Sequence, residues 1–350
     1  MMRTSSFFFC FLSLFSINIA AAGTRKVIID TDPGTDDAMA IMLALNSPEF
    51  DVRALTVVPG NVTAAQGLEN ALRLVSLANR CDVAVAAGAQ HPLFQKLITA
   101  EYWHGKNGMG NVELPPSKCK VDKRWAPDLI IEMVHANPHE ITLIPIGPLT
   151  NIALAVEKDP SIVPLVKEVV IMGGGITGGN ENGAAEFNIY DDPEAAQVVF
   201  QAGWPLTMVG LDVCDKTLLT RKHMEALAKS PGPISGFIYQ LADFLVTLNE
   251  KNGEPGTKMF DPLAVGVAID SSLVHASLMH VDVETRGEFT RGETVANRQG
   301  FVDHEVLQHS PGGDRYVVDG MEKVTPNVKV ATEVDSEKFI AMFISRIQGK

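Results

Sequence analysis

Cysteine is scarce in this chain, four residues in 350, and none is spaced as CxxC or as a Cys/His zinc set. A disulfide-built scaffold is excluded on that count. Basic tracts are missing too. Lysine and arginine total 29 against 42 aspartates and glutamates, a formal net charge of −13, so no nucleic-acid partner is expected. No stretch beyond the N-terminus reaches 18 apolar residues, so no membrane association is expected of the mature form. There is no GxSxG and no HExxH, which removes two common hydrolase signatures. What remains is ordinary globular composition, 46% apolar and 20% charged, which rules out a largely disordered chain.

Arg3 precedes an apolar run from Phe7 to Ile19, and Ala20, Ala21, Ala22 and Gly23 follow. Thirteen residues are short for a span. The layout is that of a secretory signal cleaved near residue 22, so residues 1–22 are read as a signal peptide and 23–350 as one domain, secreted or periplasmic. Cys10 lies far from the small residues, which argues against lipid attachment. Cys81, Cys119 and Cys214 remain in the mature chain. Two of them can pair in an oxidising compartment, sequence does not choose which, and three buried thiols is the alternative.

Along the mature chain, Val/Ile/Leu runs alternate with helical patterns. Strands are expected at 25–30, 52–58, 82–88, 140–147, 166–174 and 205–213, and helices at 38–46, 63–80, 127–137, 149–159 and 193–203. Such runs predict an α/β fold, a single open, mostly parallel sheet covered by helices on both faces, with ligands outside the carboxyl ends of the strands. The second half is less regular. Helices fit 221–229, 234–250, a segment starting near Asp261, and 335–348; 280–297 reads as antiparallel strands and 327–334 as a late strand. No linker or internal repeat divides the chain.

The strongest local signal is IIDTDPGTDDAMA. Asp30, Asp32, Asp36 and Asp37 fall within eight residues between a buried strand and a helix, with Pro33 and Gly34 forcing a turn. Asp36 or Asp37 can cap the helix, but one cap needs one aspartate. Packed like charges cannot all ionise without a counter-charge, and no lysine or arginine lies between Lys26 and Arg53. A hard divalent cation, Ca²⁺ or Mg²⁺, answers the pattern. It would lower the pKa of a water beside an aspartate able to take the proton.

Other positions are weaker. Asp261, followed by Pro262, reads alone as a helix N-cap. Glu186 and Asn188 in AEFN fall on one side of an extended segment, where they would grip a polyhydroxylated ligand or close a turn. GGGITG (173–178) matches a dinucleotide fingerprint, but TGGNENG follows and cannot open the helix that the motif requires. Asn61 sits in the sequon NVT and also at a strand end, so glycosylation and ligand binding compete. His104 lies in a Gly-rich loop, where a lone histidine is ordinarily solvated.

Taken together these segments resemble one family, the nucleoside hydrolases of the inosine-uridine-preferring type. DTDPGTDDAMAI is the most specific block. VVPGN (57–61), HGKNGMG (104–110), IPIGPLTNIA (144–153), MGGG (172–175), AEFN (185–188), MVGLDV (208–213) and FDPLAV (260–265) follow in order. The match runs from about Lys26 to Ile347. It implies a Ca²⁺-dependent enzyme that adds water to the anomeric carbon of a ribonucleoside, releasing ribose and base. Carried over by motif, Asp32 is a metal ligand and the general base. Asp37 and Asp261 are metal ligands, with the backbone carbonyl of Ile146. Asp36, Asn61, Asn180, Glu186 and Asn188 bind ribose hydroxyls, and His104 lies near ribose and base as a second catalytic residue. The resemblance also implies a homo-oligomer, dimer or tetramer.

The chain departs from the family's pattern on the leaving-group side. Pyrimidine-tolerant members often carry histidine just before the last aspartate, where Phe260 stands here. The helix that the resemblance puts along the base pocket, DFLVTLNEKNG (243–253), lacks the tyrosine and arginine of that subfamily. Purine-specific relatives sandwich the base between aromatics, a role that Trp103 and Phe260 fit, so purine ribonucleosides are the expected substrates. Two other readings compete. A Mg²⁺-dependent phosphatase of the haloacid-dehalogenase type shares the D-x-D after a strand but wants Thr or Val where Gly34 stands. An exported nucleoside-binding protein without turnover fits the signal and the α/β pattern, but would not need the aspartates.

Overall fold

Apolar runs form the central strands because a parallel sheet is covered on both faces. The computed structural model describes residues 24–349 except 231, 298–300 and 310–314, and for 301–309 and 315–322 the backbone alone; the expected signal peptide, 1–22, lies outside the described residues. Six strands are parallel: β1 (Arg25–Thr31), β2 (Phe50–Val57), β3 (Ala84–Ala87), β4 (Ile141–Pro145), β5 (Glu168–Met172) and β6 (Leu206–Val209). The two-residue β7 (Leu218–Leu219) and β8 (Thr257–Lys258) pair apart from them. β9 (Val274–Val283) and β10 (Thr294–Asn297) are antiparallel, and β11 (Phe301–His309) pairs with β12 (Arg315–Lys323) in a separate ladder. β13 (Val328–Val334) lies between β6 and β9, parallel to the first and antiparallel to the second. The main sheet thus has nine strands in the order β10-β9-β13-β6-β5-β4-β1-β2-β3, the mostly parallel sheet expected.

Helices connect the strands: α1 (Thr35–Leu45), α2 (Ala64–Leu77), the single turn α3 (Glu101–His104), α4 (Ala126–Ala136), α5 (Thr150–Lys158), α6 (Phe187–Asp191), α7 (Pro193–Gln201) and α8 (Leu211–Cys214). α9 (Arg221–Ala228), α10 (Pro233–Lys251), α11 (Phe260–Ile269) and α12 (Ser336–Ile347) complete the set. One apolar cluster, with Met39, Ile41, Leu43 and Leu263, fills one face of the sheet; a second, with Leu129, Ile130, Ile152 and Phe200, fills the other. α1 packs against α11, and beyond the carboxylates of their first turns both are apolar all round, as helices buried on every side must be. No helix among the described residues is long and apolar enough to cross a membrane.

The chain winds outward from β1 to β3, returns to the other side of β1, and winds outward again from β4 to β6. Strand order therefore reverses between β1 and β4, which opens a crevice at their carboxyl ends. Two local readings are corrected. The expected strand 205–213 stops at Val209, because Gly210 passes so close to the Gly174 carbonyl that a Cβ would lie 2.6 Å from its oxygen, and the chain turns there into α8. Part of the Gly-rich loop is helical, since Trp103 and His104 donate N–H bonds to the Ala100 carbonyl at 2.9 and 3.1 Å. Cys81 and Cys119 form a disulfide, and Cys214 is a buried free thiol.

Candidate active site

The turn after β1 sorts the aspartates. Strand alternation sends Asp30 away from the crevice, where Thr56 and Asn151 donate to its Oδ1 at 2.5 and 2.8 Å. Asp30 therefore leaves the cluster that the spacing suggested. Gly34 is the N-cap of α1. Asp37, three residues on, accepts from the Gly34 N–H at 2.9 Å, the Asn61 amide at 2.9 Å and the Thr31 hydroxyl at 2.5 Å. The capping role thus falls to Asp37 and explains that one carboxylate only.

Asp32 is fully buried. Its Oδ2 accepts from the Asn61 N–H at 2.6 Å, while its Oδ1 has no partner among the described residues. Gly60 and Gly147 flank it so tightly that a Cβ on either would stand 2.9 Å from the Asp32 Cγ. Asp36 Oδ1 is likewise buried and unpartnered, its neighbour being His104 Nδ1 at 3.5 Å. Asp261 is not the N-cap that its sequence context suggested. Met259 holds that position, and Asp261 is the second residue of α11, buried.

Carboxylate oxygens of Asp36, Asp37 and Asp261 lie within 4.8 Å of one another. Asp36, expected at the ribose, thereby joins the possible ligands. Burial raises the pKa of these three and of Asp32. Asp36 is pushed up to about 6, and Asp32 and Asp261 well above the carboxylate range, with their neighbours' charges adding to burial. The cavity's one lysine, Lys258, is paired with Asp215 at 3.0 Å. Unpartnered buried oxygens, an all-oxygen donor set and no cationic partner fit a hard divalent cation.

Above this cluster lies a cavity of about 500 Å³, a size suited to a small molecule. Asp36, Asn61, Trp103, His104, Ile146, Asn180, Glu186, Asn188, Phe260 and Asp261 all line it. Asn61 is buried and committed to Asp32 and Asp37, so its sequon is not an exposed acceptor. Glu186 and Asn188 are not on an extended segment. Glu186 is the N-cap of α6, accepting from the Gly174 and Ile189 N–H groups at 3.0 and 3.2 Å, because the Gly-rich loop delivers the chain directly into a helix. Burial raises the Glu186 pKa to about 7. Asn188 donates to the Ile146 and Met172 carbonyls at 3.2 Å each, and the Asn180 Oδ1 accepts from the Phe187 N–H at 2.9 Å.

His104 is not a solvated loop residue: its side chain is 12% exposed, and burial lowers its pKa to about 4 against the pull of Asp37. Leu245, Asn249 and Asn252, from the 243–253 segment expected at the base pocket, also line the cavity, as do Glu254 and Thr257 beyond the expected set. α10, which packs on α3, supplies the first two.

The family model described as inosine-uridine preferring nucleoside hydrolase matches residues 27–341. An inosine-uridine preferring nucleoside hydrolase of Leishmania major is 43% identical over 278 residues, 78% of this chain and 88% of that protein. A pyrimidine-specific ribonucleoside hydrolase of Salmonella arizonae is 37% identical over 324 residues, 92% of this chain and 98% of the other. The solved structure of a purine-preferring ribonucleoside hydrolase from Gardnerella vaginalis superposes with a TM-score of 0.82 at 34% identity, covering 93% of this chain and 98% of that one.

Proposed function

The chain belongs to the inosine-uridine preferring nucleoside hydrolase family, a family of ribonucleoside-cleaving enzymes, and from that premise we propose an exported, Ca²⁺-dependent hydrolase that prefers purine ribonucleosides and uses Asp32 as general base. The observation that carries the catalytic reading is the Asp32 carboxylate, buried with a free Oδ1 at the carboxyl end of β1, beside three convergent carboxylates.

Asp36, Asp37 and Asp261 would hold the cation, with the Ile146 carbonyl and Asp32 as further oxygens. When bound, Ca²⁺ supplies Lewis-acid activation of a water. The Asn61 N–H fixes the Asp32 carboxylate through Oδ2, leaving Oδ1 to take the water's proton. Breaking the C1′–N bond leaves an oxocarbenium-like sugar, and the surrounding carboxylates stabilise that positive charge. Asn61, Asn180, Glu186 and Asn188, with Asp36, would hold the ribose hydroxyls; their lining of one cavity supports that reading. A deoxyribose would forgo one of these hydroxyl contacts and so be the poorer substrate.

Trp103 and Phe260 line the same cavity, which supports a base held between aromatic faces. The relatives include a purine-preferring and a pyrimidine-specific enzyme, so the purine reading rests on this aromatic pair. Export is supported by the N-terminal layout and by the Cys81–Cys119 disulfide, a bond that persists in oxidising compartments. A homo-oligomer, dimer or tetramer, rests on the resemblance alone, and light scattering tests it. The functional test is base release from inosine, adenosine, guanosine, uridine and cytidine with Ca²⁺ present. Purine turnover well above pyrimidine turnover is expected; equal uridine turnover removes Phe260 and Trp103 as specificity determinants.

A further inference from the structure

At the start of α1 the Thr35 N–H, one of the amides a helix leaves without an internal acceptor, points at His104 Nδ1 at 3.2 Å. The Thr35 hydroxyl stands 2.8 Å from the same nitrogen. An amide N–H can only donate, so Nδ1 must present its lone pair and the ring proton must sit on Nε2. The Asp36 carboxylate, which would favour a proton on Nδ1, is farther away at 3.5 Å. The ring cannot swing aside freely. A Cβ on Gly34 would lie 2.7 Å from Nδ1, and the His104 backbone is tied at both ends, its N–H to the Ala100 carbonyl at 3.1 Å and its carbonyl to the Gly110 N–H at 2.8 Å. No protein group among the described residues takes the Nε2 proton, and His104 lines the cavity.

We propose that Thr35 is a positioning residue whose hydroxyl, donating to Nδ1 beside its own N–H, holds His104 as the neutral Nε2–H tautomer, so that the ring donates a hydrogen bond into the cavity, to a lone pair of the departing base, instead of delivering a proton. The positive end of the α1 dipole faces Nδ1, which disfavours a second ring proton there. His104 itself gains and loses nothing. The C1′–N electron pair leaves with the base, hydroxide from water bonds to C1′, the water's other proton passes to Asp32, and the released base recovers a proton from solvent. Phe260, standing where a histidine is expected in some relatives, supplies no proton from that position. The proposal rests on the ribonucleoside occupying this cavity.

The test joins a spectrum to a rate. In the full mature protein labelled with ¹⁵N-histidine, the His104 signals, assigned by their loss in His104→Gln, should show Nε2 protonated and Nδ1 bare. Thr35→Val, which keeps the shape and removes the hydroxyl, should lower kcat for inosine by about tenfold, the effect of one ordinary hydrogen bond. KM and melting temperature should change little, and Thr35→Ser should recover most of the rate. The loss should be smaller on 4-nitrophenyl riboside, whose leaving group is already a stable anion. A proton on Nδ1, an imidazolium, an unchanged kcat in Thr35→Val, or equal losses on both substrates would each overturn the proposal. Absence of turnover by the unaltered protein would instead fault the functional reading, because the spectrum requires no turnover.

Discussion

Gly147→Ala is the sharpest probe of the Asp32 carboxylate. A Cβ at residue 147 would stand 2.9 Å from the Asp32 Cγ and 3.1 Å from its backbone nitrogen, and nearer still to Oδ1. Carbon atoms pack at about 3.5 Å or more, so the carboxyl must retreat by roughly 0.6 Å. Neither Gly147 nor Gly60 has a positive φ, so the added methyl acts by sterics alone. Misplacing a reacting group by about 1 Å costs on the order of 10²-fold in rate; Gly147→Ala should therefore lose between about 10- and 100-fold in kcat for a ribonucleoside. Gly236→Ala is the control. That glycine lies within α10 with nothing within 4 Å of its Cβ position, so alanine should leave kcat alone and stabilise the helix by about 0.5–1 kcal/mol. Steady-state kinetics with a thermal melt of each variant reads both effects. Gly147→Ala with unaltered kcat would refute the placement of Asp32 as the reacting base.

Other expectations follow from the same geometry. Asp191 is fully buried, with both oxygens unpartnered among the described residues, and burial raises its pKa to about 7. Its folded pKa exceeds the ordinary carboxylate value, so its contribution to stability is complete below about pH 4 and is lost as pH rises through 7. Asp191→Asn should then be more stable than the unaltered chain by about 1–3 kcal/mol at pH 8, with the gap closing toward pH 4; urea melts across that range would reject the account if the gap were constant. The Cys81–Cys119 bond closes a loop with a sequence separation of 38, worth about 4 kcal/mol by loop entropy. Replacing both cysteines by serine should lower the urea midpoint accordingly without touching kcat. Chelation of the purified protein should abolish base release and lower its melting temperature, with Ca²⁺ restoring both; at 100 times its Kd, a bound ion adds about 2.7 kcal/mol. Full activity after chelation would contradict the carboxylate cluster as a cation site.

The sheet was legible because its strands are continuous apolar runs, and the aspartate turn because four like charges in eight residues demand an explanation. Asp30 was misplaced by that same logic: charge counting ignores the alternation that turns it toward Thr56 and Asn151. Asp261 looked like a cap because its burial beside Asp36 and Asp37 depends on α11 packing against α1, which no local pattern reports. His104 looked solvated for a related reason, since Thr35, 69 residues away, and its neighbour Gly34 enclose it. The 243–253 segment was expected at the base pocket through the resemblance, and Glu254 and Thr257, which line the cavity just after it, carried no local signal. Asn61 carried two meanings in sequence, and its burial against Asp32 and Asp37 removes the exposed glycosylation acceptor.

The central claim is that an Asp32-centred carboxylate site hydrolyses ribonucleosides. Inosine turnover by the unaltered protein and by Asp32→Asn, at matched Ca²⁺ and with both shown folded by thermal melts, tests it most directly. Release of hypoxanthine and ribose by the first, reduced at least about 10³-fold in the second, is the predicted result, since a general base alone is worth about 10²–10⁴. Equal turnover by the two proteins, or none by either while folded and loaded with Ca²⁺, would contradict it.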